Sequence, residues 1–446
     1  MARVAELVWG APLMLLLLIV GLCMTFATRF VQVRKLGASL RHVWNSAKAP
    51  AKEGGVSSFQ AVCTALAATV GTGNIAGVAG AIALGGPGAV FWMWVSAFFG
   101  MATKYAEVVL ALKFRRKGPD GQWLGGPMYY MRDGLGWRWP AVLFALLAVL
   151  GSFGMGNIAQ VNTIAGAVTE AARVYRPQWQ PGLVTLVTGG MAAALVALVT
   201  LGGARRIGQI TEKLVPFMAA VYIGGSLAVI LVHGRNLGPV FASIFQGAFR
   251  PQAVLGGAAG VGLRQAVRWG VSRGIFSNEA GLGSAPMAHA AAEARPEEQG
   301  LFGIFEVFLD TMVLCTLTAV TILVSGVSIP YGQAAGAELA TAALETVFGA
   351  WAAGISAVSL SLLALATLIS WNLYGVQCAR YLWGSRGAWV YQIVYVFVIL
   401  AGAVMDLSVA WTLSDALNGL MALPNLAALL ALLPEVRVRK AKEFGS

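Results

Sequence analysis

The sequence predicts an all-α integral membrane protein with eleven transmembrane helices, ten of them forming a five-plus-five inverted repeat behind one extra N-terminal helix. Composition is the first reason. With 58% apolar residues, 11% charged residues and a mean hydropathy of +0.73, the chain has too little polar surface to cover a water-soluble globule of 446 residues. The second is a succession of apolar runs of roughly 20 residues, the length that crosses a hydrocarbon core. The third is a pair of glycine-rich breaks, Gly71-Thr72-Gly73-Asn74 and Phe276-Ser277-Asn278-Glu279-Ala280-Gly281-Leu282-Gly283, about 205 positions apart. Each interrupts one of those runs.

In chain order the spans fall at 8 to 28, 57 to 85, 88 to 112, 140 to 172, 183 to 202, 213 to 233, 254 to 290, 300 to 325, 350 to 379, 388 to 405 and 408 to 433. The connecting loops then alternate between two sides. One side holds 22 Lys or Arg, the other holds five, and the last four, Lys104, Arg264, Arg268 and Arg273, lie within spans. By the positive-inside rule this asymmetry places the N-terminus outside and the C-terminus in the cytoplasm. The net charge of +12 is therefore an orientation signal, helped by anionic lipid, and no nucleic-acid footprint. The first run could also be the apolar core of a signal peptide. Against that, no small-residue cleavage motif follows it, and Arg29 to Lys52 reads as a cytoplasmic loop. The closing Glu443-Phe444-Gly445-Ser446 reads as a vector-derived remnant.

Five organisational units result: residues 1–56, the extra helix and a basic loop; 57–233, the first repeat; 234–253, a linker; 254–434, the second repeat; and 435–446, a tail. Five spans are an odd number, so the second repeat enters the membrane from the opposite face. The breaks lie in the first span of each repeat, the layout of carriers that work by alternating access around a site at mid-depth. The third span of each repeat is long and flecked with polar residues: Ser152, Asn157, Gln160 and Asn162 in one, Ser356, Ser359, Ser361, Thr367, Ser370 and Asn372 in the other. Those spans are expected to face the breaks.

A helix broken inside hydrocarbon survives only where its loose backbone lines a cavity or holds a ligand. Gly71 and Gly73 remove the side chains that would block one. The amides of Thr72, Gly73 and Asn74 then form the positive N-terminus of a second half-helix, expected over Ile75 to Leu84, where a carboxylate gains hydrogen bonds and the helix dipole. Residues 67 to 70 end the first half-helix and offer carbonyls to a desolvated cation. At the second break, carbonyls near Phe276 suit an ammonium group, with Ser277 and Asn278 adding polar side chains. Opposite dipole ends at one depth suit a zwitterion and a small cation.

The strings ATVGTGNIAGVAGAIALGGPGAVFWMW, TKYAEVVLALKFR, GGPMYYM and VSRGIFSNEAGLGSAPMAHAAA resemble the alanine/glycine:cation symporter family of prokaryotes, whose members share the LeuT-type fold. The resemblance runs from about Ser57 to Pro434. It implies sodium-coupled uptake of L-alanine or glycine, and of D-alanine in some members, across the plasma (inner) membrane. It also implies carboxylate grips at Thr72 and Gly73, ammonium grips at Thr69, Phe276 and Ser277, and pocket walls at Gln160 and Trp371. Sodium ligands in such folds are carbonyls of the first broken helix and hydroxyls of the eighth core helix, which become Ala67, Val70, Thr367 and Ser370 in this chain. Such large walls leave room for small side chains only, an extra methylene costing about 1 to 3 kcal/mol in a tight pocket.

No acidic residue lies in the first break, which favours Na+ over a proton as coupling ion; the runner-up is a proton-coupled carrier of another small zwitterion. Among ionisable residues within spans, Lys104 and Glu107 lie one turn apart and are expected to pair. Glu306 and Asp310 share a helix face and are read as bonding the Arg264, Arg268 and Arg273 series or lining the cytoplasmic half, while Glu279 caps freed amides or touches ligand. His289 is read as structural. Cys23, Cys63, Cys315 and Cys378 read as small core residues. A channel would show a ring of like groups, and an enzyme a nucleophile with a base or an HExxH. The sequence shows neither, and His42 and His233, with His289, fall near loops.

Overall fold

The computed structural model describes residues 9–48, 55–119, 121–250, 262–405 and 407–437. The expected span starts at 8 and 254 and the remnant at 443 to 446 lie outside the described residues. Helix dominates, as a chain in hydrocarbon must satisfy every backbone group internally. Among the described residues six helices are long and apolar enough to cross a membrane, seven when a pair bent by 56°, Ser58–Thr69 and Thr72–Gly85, counts as one span. Ala11–Ala27 and the segment Asp415–Ala431 are shorter apolar helices. The protein is thus a multi-pass membrane protein.

Local chemistry sets the boundaries. Ser57 opens the first half-helix with a capping box, its hydroxyl accepting from the Gln60 amide at 3.1 Å while the Gln60 side chain accepts from the Ser57 amide at 3.2 Å. After the second half-helix, Ala76–Gly85, the chain reverses at Gly86 with φ +71° and Pro87 leads into Gly88–Lys113. The long helix Trp351–Ala403 is two helices joined at Gly384, whose φ of +71° and ψ of −166° break the ladder close to the predicted boundary between the ninth and tenth spans. The predicted span 140 to 172 is one rod, Arg138–Phe153 and Ala159–Tyr175, joined by a π-helical turn at Gly154–Ile158.

The faces of the bundle differ. On the basic side a two-residue hairpin pairs Arg116–Lys117 with Trp123–Leu124, and Val56 bridges to Ala292. Arg115 donates to the carbonyls of Ala290 at 3.0 Å and Ala292 at 2.5 Å, tying down the loop that follows the second break. On the opposite side a cavity of about 980 Å³ runs down from the segment Ala334–Ala337, between Gly77 and Gly80 of the second half-helix and Trp269 and Arg273.

Candidate functional site

The first break forms where expected. The Ser58–Thr69 helix ends at Val70, a single 3-10 turn covers Thr72–Asn74, and the helix resumes at Ala76, one residue later than predicted. Asn74 closes the loop: its side-chain oxygen accepts the Gly71 amide at 2.9 Å, and its amide donates to Asp310 Oδ1 at 2.7 Å. Glycine is needed at 71, because a Cβ there would stand 2.6 Å from the Thr367 hydroxyl. At Gly73 a Cβ would meet the Phe276 ring at 3.5 Å and Ser277 at 3.7 Å, so the two breaks abut at this residue.

The second break differs from the expected mirror image. Leu263–Asn278 stays helical through Phe276 and ends at Glu279, whose left-handed φ of +55° turns the chain out of the helix. No long half-helix follows directly: Ala280 to Ala285 is irregular, and helix returns only for Pro286–His289. Asn278, read as a ligand contact, is occupied within the protein. Its amide donates to Thr311 Oγ1 at 3.1 Å and its oxygen caps the Ala280 amide at 3.0 Å.

The other sequence-derived residues are all buried. Thr72 donates to Gln160 Oε1 at 3.3 Å, and Gln160 is aimed by its own bond to the Met155 carbonyl, one the π-helical turn makes available. Thr69 bonds back to the Ala65 carbonyl at 3.2 Å. Thr367 donates to the Ala67 carbonyl at 3.1 Å, which places the eighth core helix against the end of the first half-helix. Ser370, one turn on, has a buried hydroxyl with no hydrogen-bond partner. Thr367 at a helix-terminal carbonyl and an orphaned Ser370 hydroxyl one turn on in the same helix are oxygen donors of the kind a hard monovalent cation takes. Trp371 lies elsewhere: its indole N–H donates to Glu279 Oε1 at 3.1 Å, and its Cβ fills the space over Gly156. It links the second break, through Glu279, to the π-helical turn at Gly156.

Several expectations about charged residues are corrected. Lys104 does not pair with Glu107; it forms an ion pair with Glu306 at 3.1 Å, while Glu107 accepts from Asn425 at 2.6 Å and from the Gly281 amide at 3.3 Å. Glu306 and Asp310 do not bond the arginine series. Arg273 instead pairs with Asp415 at 3.5 Å. Asp310 has a role that the sequence reading did not foresee. Its carboxylate accepts from Asn74 of the first break and from Ser277 of the second, at 2.7 and 2.8 Å, and from Thr311. A carboxylate thus does stand at the first break, delivered from another helix. A buried acid spaced to face a broken span was the available signal.

Two broken helices whose ends meet in a fully buried polar centre, embedded in a multi-pass helical bundle, define a membrane transporter. The chain belongs to the sodium:alanine symporter family, whose model matches residues 1–445. It is 42% identical to the sodium/alanine symporter AgcS of Methanococcus maripaludis, over 99% of this chain and 96% of that protein. It is also 40% identical to a Bacillus subtilis protein named as the probable sodium/glutamine symporter GlnT, over 96% and 86% of the two chains. The crystal structure of MhsT in complex with L-phenylalanine shares the fold at 13% identity, with a TM-score of 0.59 over 86% of this chain and 98% of that one. The chain is a symporter of this family and not an enzyme.

Proposed function

We propose that this protein imports small neutral amino acids, alanine and glycine foremost, with sodium, by alternating access across a prokaryotic inner membrane. The observation that carries the reading is the meeting of the two breaks at Gly73. There the loop lies against the Phe276–Ser277 end of the second helix, with Gln160 bonded to Thr72 and the Asn74 amide turned back to the Gly71 carbonyl at 3.2 Å. The carboxylate of the substrate takes the amides at Thr72 and Gly73. Its ammonium takes the terminal carbonyls near Phe276, with Ser277 and Thr69 at the rim. Asn74 and Asn278 shape the loops rather than touch the substrate. Sodium takes the carbonyls of Ala67 and Val70 and the hydroxyls of Thr367 and Ser370, the donor set of hard neutral oxygens that this ion prefers. The names of the relatives fit sodium and an amino acid. Their range from alanine to glutamine leaves the size limit to this chain's own Phe276 and Gln160.

The eleven-span inverted repeat, with the N-terminus outside, belongs to the same reading. It makes the 980 Å³ cavity the outer vestibule. Calorimetry of alanine binding to the purified protein tests the site. Sodium is expected to tighten binding in the parent, and Thr367→Val with Ser370→Ala to abolish that dependence. Equal sodium dependence in parent and double variant would overturn the ion site.

A further inference from the structure

Around the residues that follow the second break, three carboxylates share one cation. Glu107, Glu279 and Glu306 are wholly buried, and each acts electrostatically on the buried ammonium of Lys104. Glu306 takes Lys104 at 3.1 Å on one oxygen and His289 Nε2 at 3.1 Å on the other. The other two touch neutral donors only. Glu279 accepts from Trp371 and Ser284, and Glu107 from Asn425 and the Gly281 amide. Tyr130 in turn bonds Asn425, and Asp310 lies one turn beyond Glu306. With every acid ionised, this centre would carry two uncompensated negative charges out of reach of water. Like charges held together away from water repel one another and lose their hydration.

Two further buried polar atoms belong to the same centre. The Tyr374 hydroxyl has no hydrogen-bond partner, feels the charges of Glu279 and Glu306, and sits on a ring packed edge-on to Trp371 at 5.5 Å. Gln299 donates its amide to His289 Nδ1 at 2.8 Å and leaves its own Oε1 orphaned. A metal ion is the poorer occupant, since Lys104 would repel it and no metal-binding group of His, Cys, Asp and Glu occurs among the described residues. A proton needs no space and removes one negative charge.

We propose that this cluster is a proton-binding site, with Glu107 and Glu279 as the acceptors and Lys104, Glu306 and His289 setting the charge they share. Both acceptors hold the unwound stretch directly, Glu107 through Gly281 and Glu279 through Ser284 and Trp371. Proton occupancy is therefore coupled to the shape of the second break. The coupling rests on the transport reading; proton binding does not.

Infrared spectroscopy of the purified protein at neutral pH tests both parts. The parent is expected to show the carbonyl stretch of a neutral buried carboxylic acid. Glu107→Gln or Glu279→Gln should remove one component of that band, and Tyr374→Phe, which keeps every charge, should shift it. Adding sodium and alanine should alter the same band. A parent without the band, or a band unchanged in all three variants, overturns the proton site even if alanine binds. A band that obeys the variants while alanine fails to bind overturns the transport reading alone.

Discussion

At Gly73 the two breaks come within van der Waals reach, so a single side chain decides whether a ligand fits. Gly73→Val adds a branched group against Phe276 and restricts the backbone that the turn requires. Alanine affinity is expected to fall at least tenfold, about 1.4 kcal/mol, measured by calorimetry on monodisperse protein. Gly80→Ala is a poor control, because its Cβ would stand 3.1 Å from the Ala335 carbonyl at the vestibule. Gly224→Ala, which meets nothing within 4 Å, should bind like the parent. Trp371 acts on stability before selectivity. Trp371→Ala strips the packing over Gly156 and the donor to Glu279, and is expected to cost about 3 to 5 kcal/mol, read as a fall in Tm. A Tm equal to the parent's would contradict that placement.

At the scale of the element, the first break was legible because its cause is local. Glycine on either side of Thr72, followed by Asn, specifies a turn that no apolar periodicity can carry, and the structure breaks within one residue of the predicted place. The pairing of Thr367 with Ala67 came from the family resemblance, and the structure shows the two in contact at 3.1 Å. The second break was less legible. Glu279 in a left-handed conformation, and the irregular path to Ala285, depend on partners such as Glu107 and Asn425 that lie more than 100 positions away in sequence. The same holds for Asp310, which clamps both breaks from the seventh core helix. Asp310→Asn keeps the shape but removes the charge on which Asn74 and Ser277 converge. A charged hydrogen bond contributes about 1.5 to 3 kcal/mol, so alanine binding is expected to weaken by tenfold or more. Unchanged affinity would confine Asp310 to packing.

At the scale of the whole molecule, the proposed orientation rests on charge asymmetry, and under it the cavity opens outward. The basic loops close over one end through Arg115 and the Val56 to Ala292 bridge, and the cavity opens at the other, near Gly336. A cysteine introduced after Gly336 is expected to react with an impermeant thiol reagent from outside the cell, and one after Lys117 to stay protected until the membrane is opened. The reverse pattern would invert the topology and exchange the vestibule for the release side. The buried pair of Lys104 and Glu306, 202 positions apart, shows why such a reading stops short of the interior. Loop charges report topology one segment at a time, whereas which helix faces which is decided by packing.

The most direct measurement of the central claim is alanine uptake into proteoliposomes under an imposed sodium gradient at fixed pH and zero membrane potential. Uptake should rise with external sodium, collapse when sodium is equal on both sides, and be lost in the Thr367→Val, Ser370→Ala double variant. Uptake that follows a proton gradient alone, indifferent to sodium, would contradict the account.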